Sequence, residues 1–268
     1  MKFTDGNWLI RPGVQPFYPT EARDVEASAD SFTVYATRAI RHRGDTLTGP
    51  LLTVHFSSPM PDVIRVRLTH FAGEGAAQPQ FTLCEQADHA VTVINNETET
   101  VLTSGTFSAH IAKAEPWHVD YRANGRTITA SPPRGMAIME VADAGHFMHE
   151  QLALGVGENV YGLGERFTAF VKNGQVVEMW NRDGGTSSEQ AYKNIPFYLT
   201  NRGYGVFVNH PGDVAFEVAS EKVARVQFSV PGHELEYFLI YGPTPKEILQ
   251  KYTALTGRPA RPPAWSFG

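Results

Sequence analysis

The sequence predicts a mainly β protein, a large antiparallel β-sandwich followed by one helix. Short runs of alternating apolar and polar residues recur along most of the 268-residue chain, each closed by Gly, Pro, Asn or Asp. Asn124-Gly125 sits between two such runs and is the strongest two-residue hairpin signal. A helical period with signals at both ends occurs once, after Thr244.

Pro12, Pro16 and Pro19 exclude a helix interior from the first twenty residues. Strands are expected at 31–36, 51–56 and 63–70. In Val63-Ile64-Arg65-Val66-Arg67-Leu68 apolar residues alternate with arginine, as in a half-buried sheet. The pattern continues at 90–94, 100–102, 106–112, 117–122, 126–130 and 148–154. Later strands are expected at 176–180, 197–200, 205–209, 214–218, 226–230 and 235–241.

Thr244 is placed to cap a helix, Pro245 suits its first position, Glu247 completes a capping box and Gly257 ends it. The expected organisation is a sandwich over 1–243 and a connecting helix over 244–257. A proline-rich linker and an apolar strand start come next, over 258–268. A chain closing on Trp265-Ser266-Phe267-Gly268 reads as the threshold of a further domain. The apolar helix face and this end are expected to lack a partner, which would favour association into a homo-oligomer.

The stretch 154–210 is the densest in turn glycines, aromatics and charge. Gly155, Gly157, Gly162 and Gly164 surround Tyr161, and Glu165-Arg166 come directly after. Trp180-Asn181-Arg182-Asp183 then opens a polar loop. Such a loop suits a sugar, because an aromatic face packs on the C–H face of a pyranose while Asn and Asp bond its hydroxyls. The same residues suit an ordinary turn. Glu165-Arg166 reads as an ion pair holding the sandwich or its contact with another domain.

Net charge is −5 and pI about 6.1, with no long basic run, so nothing points to nucleic acid. No apolar run reaches membrane-spanning length, and the start MKFTDGNWLI lacks a secretory apolar core, so a cytoplasmic protein is expected. Cys84 is the one cysteine, which excludes an internal disulfide; it is expected to be small and buried. His146 and His149 have a His-x-x-His spacing, but on a strand or loop with no third ligand, so no metal and no cofactor are assigned. The other histidines are scattered. Trp8 and Trp117 read as core.

Tyr161-Gly162-Leu163-Gly164-Glu165-Arg166-Phe167, Trp180-Asn181-Arg182-Asp183-Gly184-Gly185-Thr186, Tyr192-Lys193-Asn194-Ile195-Pro196-Phe197-Tyr198 and Gly257-Arg258-Pro259 to Trp265-Ser266-Phe267-Gly268 together resemble glycoside hydrolase family 31. The likeness runs from Asp5-Gly6-Asn7-Trp8 to the end and is nearest to the bacterial α-xylosidases. It implies a galactose-mutarotase-like N-terminal sandwich ahead of a (β/α)8 catalytic barrel, with this chain ending in the barrel's first strand.

The resemblance further implies a retaining hydrolase whose two catalytic carboxylates lie on barrel strands. No catalytic residue is assigned within this chain, which is expected to be inactive alone. It also implies a loop that reaches the sugar site, with Asp183 bonding sugar hydroxyls and Trp180 and Arg182 shaping the loop. The partners implied are α-xyloside or α-glucoside oligosaccharides and the missing barrel. The same domain in an α-glucosidase, a stand-alone carbohydrate-binding sandwich and a purely structural domain are the alternatives.

Overall fold

Alternation along Val63–Thr69 sets the layering. Ile64, Val66 and Leu68 are fully buried on one face. Arg65 and Arg67 point to the other, where Arg65 Nε donates to Glu236 at 2.6 Å and Arg67 Nε lies 3.2 Å from the same carboxylate. The computed structural model describes residues 1–5, 9–47, 49–74, 79–86, 88–180 and 191–267.

Among these, Val63–Thr69 belongs to an eight-stranded antiparallel sheet. Its order is Val160–Gly162, Phe197–Thr200, Tyr204–Val208, Glu234–Tyr241, Val63–Thr69, Leu52–Met60, Phe32–Thr37 and Glu21–Ala27. Opposite it lie a six-stranded and a five-stranded sheet. The six run Val14–Phe17, Ala137–Val141, Gly145–Ala153, Arg225–Pro231, Val214–Val218 and Gln175–Met179. The five run Arg126–Ser131, Val119–Ala123, Phe107–Ala112, Glu99–Ser104 and Val91–Asn95. The main core fills the space between these layers, with Phe56, Leu102, Trp117, Tyr121, Phe216 and Phe228 among its fully buried side chains. The expected sandwich is therefore present, and the hairpin at Asn124 (φ 49°) and Gly125 (φ 73°) has both central residues in the left-handed region.

Some strands escape the sequence reading for identifiable reasons. Val14–Phe17 contains Pro16, which an edge strand tolerates because no ladder partner needs its missing N–H. Glu21–Ala27 is charged and forms the opposite kind of edge, mostly in solvent. Ala137–Val141 does not alternate cleanly, because both of its faces are covered except at exposed Glu140. Ile138 joins the main core, while Ala137, Met139 and Val141 pack with Phe3 in a second cluster.

The helix is Pro245–Thr256, with a complete capping box. Thr244 Oγ1 accepts from Glu247 N at 3.3 Å, and Glu247 Oε2 accepts from Thr244 N at 3.0 Å. The expectation that its apolar face lacks a partner is corrected. Ile248 and Leu255 are fully buried against Met60, Val63, Phe197, Phe238 and Ile240 on the outer face of the eight-stranded sheet. Tyr252 stacks on Phe197 with ring centroids 4.0 Å apart. The expected strand at the C-terminal end is also corrected. Ala264–Phe267 is a 3-10 turn with Trp265 and Phe267 exposed, because no strand among the described residues lies beside it to complete a ladder. No helix among the described residues is long and apolar enough to cross a membrane.

A carboxyl sits in the centre of the core. Glu150 is fully buried. Its Oε1 accepts from Ser131 Oγ at 2.7 Å and from Gln151 N at 2.8 Å, and its Oε2 accepts from Tyr237 Oη at 2.9 Å. Tyr237 and Tyr121 share a hydroxyl contact of 3.1 Å. Hydroxyl and amide donors bond the carboxyl, but no cation among the described residues pairs with it. Desolvation pushes its pKa up to about 8, so it is held as the neutral acid at neutral pH.

This shift sets the sign of the pH effect. A folded pKa above the unfolded value means that folding retains a proton, so stability is lost as pH rises through about 8. Glu150→Gln keeps a neutral acceptor and donor in place. Thermal melts of the 268-residue chain at about pH 6.5 and about pH 9 should show the wild type losing more of its melting temperature than the variant. Equal losses would overturn the assignment.

Candidate functional site

The glycine-rich stretch makes a crossing that sequence alone does not reveal. Val160–Gly162 ladders with Phe197–Thr200 at the edge of the eight-stranded sheet. Gly162, Leu163 and Gly164 then adopt φ of 108°, 65° and 88°, three left-handed residues in succession. Leu163 N donates to Phe197 O at 2.8 Å, and the Leu163 side chain is fully buried. The turn presses the chain onto the returning segment so closely that a Cβ on Gly164 would lie 2.0 Å from Lys193 O. Only glycine fits there. The crossing leads into a short two-stranded arm, Glu165–Arg166 beside Ala191–Lys193.

Arg166 closes the arm from within. Its Nε donates to Leu163 O at 2.8 Å, and its Nη2 donates to Asn194 Oδ1. Asn194 Nδ2 in turn donates to Trp180 O at 3.0 Å. Trp180 comes directly after Gln175–Met179, the edge strand of the six-stranded sheet, and its side chain is half-buried. The structure thus places Trp180 next to the arm, whereas Arg182 and Asp183 lie outside the described residues. The expected Glu165–Arg166 ion pair is not formed. Glu165 is exposed and makes no ion pair among the described residues, since adjacent strand residues point to opposite faces.

A neighbouring loop is stiffened by a buried lysine. Lys172 Nζ donates to Ala169 O at 2.8 Å and Thr168 Oγ1 at 3.0 Å. Asn173 Oδ1 accepts from Val160 N at 2.9 Å. The loop presents exposed Phe167 and Phe170, the latter 5.2 Å from the Tyr161 ring. Aromatic surface therefore accompanies the arm.

The remaining candidates separate. His149 is buried, its Nδ1 donates to Gly135 O at 2.9 Å, and it is held neutral with its pKa lowered to about 4 by desolvation. His146 is exposed and stands 4.5 Å from the His233 ring, so the two members of the His-x-x-His spacing take opposite faces of one strand. Among the described residues no three His, Cys, Asp or Glu side chains gather to hold a metal ion. Cys84 is exposed, against the expectation of burial. Its segment straps the helix, Cys84 N donating to Leu255 O at 2.8 Å, and the extended strap turns Leu83 inward and Cys84 outward. Trp117 is core as expected, and Trp8 lies outside the described residues. Asn194 is not singled out by the sequence. Its role depends on a contact with Arg166, twenty-eight residues earlier, which nothing local to its motif specifies.

Comparison with known proteins adds to this geometry. Residues 53–217 match the family model described as the glycosyl hydrolase 31 N-terminal galactose mutarotase-like domain. The whole chain is 46% identical over 271 residues to an α-xylosidase, XylQ, of Lactiplantibacillus pentosus, of which it covers 35%. It is 41% identical over 294 residues to an α-xylosidase of Emericella nidulans, covering 37% of that protein. An α-glucosidase 2 of Bacillus thermoamyloliquefaciens is 28% identical over 216 residues, which is 77% of this chain and 27% of the relative. Among solved structures, the fold superposes on a Flavobacterium johnsoniae GH31 dextranase with a TM-score of 0.76 at 21% identity, over 94% of this chain and 30% of that one. The chain spans about a third of the length of the curated α-xylosidases it matches.

The crossing gives a direct test. Gly164→Ala must both strain a φ of 88° and displace Lys193 O, whereas Gly125→Ala at φ 73° meets nothing within 4 Å. Denaturant melts should show Gly164→Ala costing clearly more than the roughly 1–2 kcal/mol of a left-handed alanine alone, and Gly125→Ala about that amount. Equal costs would remove the crossing as a packing constraint.

Proposed function

We propose, for this chain, which belongs to glycoside hydrolase family 31 as its N-terminal domain, a part in a retaining hydrolase of α-xylosides. The observation that carries this reading is the whole-chain similarity to α-xylosidases, at 46% and 41% identity, against 28% over part of the chain for the α-glucosidase. The division proposed is a sandwich over 1–243, a helix over 244–257 seated on it, and a linker over 258–268 leading to a (β/α)8 barrel. Exposed Trp265 and Phe267, 82% and 75% accessible, are apolar surface suited to such a neighbour. A cytoplasmic setting fits a chain whose single thiol is exposed and unbridged.

In this reading the chemistry belongs to the barrel. One carboxylate attacks the anomeric carbon, a second protonates the leaving oxygen, and the covalent intermediate is hydrolysed with the second group acting as base. The domain's own contribution is the loop begun by Trp180. Asp183 accepts hydrogen bonds from sugar hydroxyls, and Trp180 and Arg182 shape the approach. A charged acceptor on a hydroxyl orients the ring without taking part in bond breaking.

Hydrolysis of chromogenic α-xyloside and α-glucoside should be compared between this chain and one extended through its downstream reading frame. The extended chain alone should turn over substrate and prefer the xyloside. Preference for the glucoside would convert the assignment to an α-glucosidase. Turnover by the 268-residue chain would place a catalytic carboxylate pair within it. Sugar binding without turnover by either chain would favour a stand-alone carbohydrate-binding sandwich. In the extended enzyme Asp183→Ala should lower kcat/KM by about tenfold or more, as loss of a charge-assisted hydrogen bond does, with the melting temperature kept.

A further inference from the structure

We infer that the cleft between the N-terminal edge strand and the loop after Phe32–Thr37 is an oxyanion site, which takes the phosphate or carboxylate group of a small molecule on Arg41 and Arg134. It shares no residue with the glycine-rich arm.

Segments far apart in the chain line this cleft of about 710 Å³, a size that suits a small ligand. Tyr18 comes from the chain after the edge strand, and Arg38, Arg41 and Asp45 come from the chain after Phe32–Thr37. Glu115 precedes Val119–Ala123, and Arg134 precedes Ala137–Val141. Three guanidiniums thus line one concave surface of a chain whose net charge is −5. Walls of low dielectric focus such a field on an anion within.

The groups around the cleft differ in what already holds them. Asp45 is turned to its own loop. Its Oδ2 accepts from Arg41 N at 2.9 Å and His42 N at 3.1 Å, and its Oδ1 lies 3.3 Å from His42 Nε2. Arg38 is also engaged, since its guanidinium lies 5.2 Å over the Phe17 ring and donates to Pro16 O at 3.4 Å. Arg41 and Arg134 are exposed, and neither guanidinium has a hydrogen bond or ion pair among the described residues. Glu115 is the one carboxylate left facing them without a partner among the described residues. A free guanidinium presents a planar fork that matches two oxygens of a phosphate or carboxylate. Tyr18 adds a neutral donor, because burial pushes its pKa up and keeps the proton on its hydroxyl.

The backbone beneath Arg134 agrees with this role. Gly135 N donates to Pro132 O at 2.8 Å, closing a turn whose third residue, Arg134, has φ 64°. Glycine takes that conformation freely, whereas a side chain there costs stability. A charged fork therefore stands in the cleft at a position where glycine would be less strained.

Isothermal titration of the 268-residue chain with inorganic phosphate, with glucuronate and with neutral xylose tests the site. Phosphate or glucuronate should bind. Binding of phosphate alone assigns a phosphate ester as the ligand group, and binding of glucuronate alone assigns a carboxylate. Arg41→Gln and Arg134→Gly should each weaken the binding about tenfold or more, as loss of a charge-assisted hydrogen bond does. Arg134→Gly should also keep or raise the melting temperature by relieving the left-handed strain, which separates weaker binding from a damaged fold. Arg126→Gln removes a charge at the start of Arg126–Ser131, outside the cleft lining, and should leave the affinity within about twofold. Failure of both anions to bind would overturn the oxyanion site. So would binding that survives both cleft variants, the mark of an adventitious ion only, or an equal loss in Arg126→Gln, the mark of a general charge effect. Xylose binding as tight as that of the anions, and lost in the same variants, would make the cleft a neutral-sugar site instead.

Discussion

Both faces of the strand Glu234–Tyr241 are closed, and the layers on either side are held through it. Leu235, Tyr237 and Leu239 enter the core between the sheets, while Phe238 and Ile240 meet the helix on the outside. The strand ladders to Tyr204–Val208 on one side and Val63–Thr69 on the other, at the middle of the eight-stranded sheet. Apolar burial on two faces leaves no solvent-facing side along its middle, so neither layer is free to slip against it. The helix is therefore part of the sandwich rather than a spacer beyond it. The chain past Gly257 starts from a fixed platform.

The same strand supplies the donor that makes the acid at the centre of the core tolerable. Tyr237 Oη reaches Glu150 across the sandwich, and Tyr121 from the five-stranded sheet reaches Tyr237. A chain of hydroxyls thus ties the three large sheets at one point. The donors of that network favour the ionised carboxyl, but with no cation beside it among the described residues, desolvation prevails and favours the proton. Its effect is to make close packing of the three layers conditional on pH, through a residue far from the glycine-rich arm.

At that arm the fold departs from regular pairing. Three left-handed residues and an unpassable approach at Gly164 trade ladder hydrogen bonds for a crossing, which lets chain from the eight-stranded sheet meet chain leaving the six-stranded one. The exposed Phe167 and Phe170 and the stiffened loop that carries them lie on this side. Irregular backbone held by specific side chains, rather than by a sheet, is where binding loops are usually built.

Much of this architecture is legible in the sequence. Alternation at 63–70, the Asn124-Gly125 hairpin, and the capping box with Pro245 and Gly257 depend on neighbours in the chain, so local chemistry specifies them. The motifs around Tyr161 and Trp180 carry the family likeness. Other features have no local signature. Ala137–Val141 hides its period because tertiary packing covers both faces except at Glu140, and the helix's partner is a sheet surface assembled from strands far apart in sequence. Leu83 and Cys84 are sorted inward and outward by a strap whose path only the folded helix defines. The link from Arg166 through Asn194 to Trp180 joins residues up to twenty-eight positions apart with ordinary side chains. Order along the chain thus settles which segments are strands, turns and helix wherever the forces are short-ranged. Which faces are covered and which polar groups meet is settled by assembly of the layers, because burial and long-range hydrogen bonds exist only once those layers have come together.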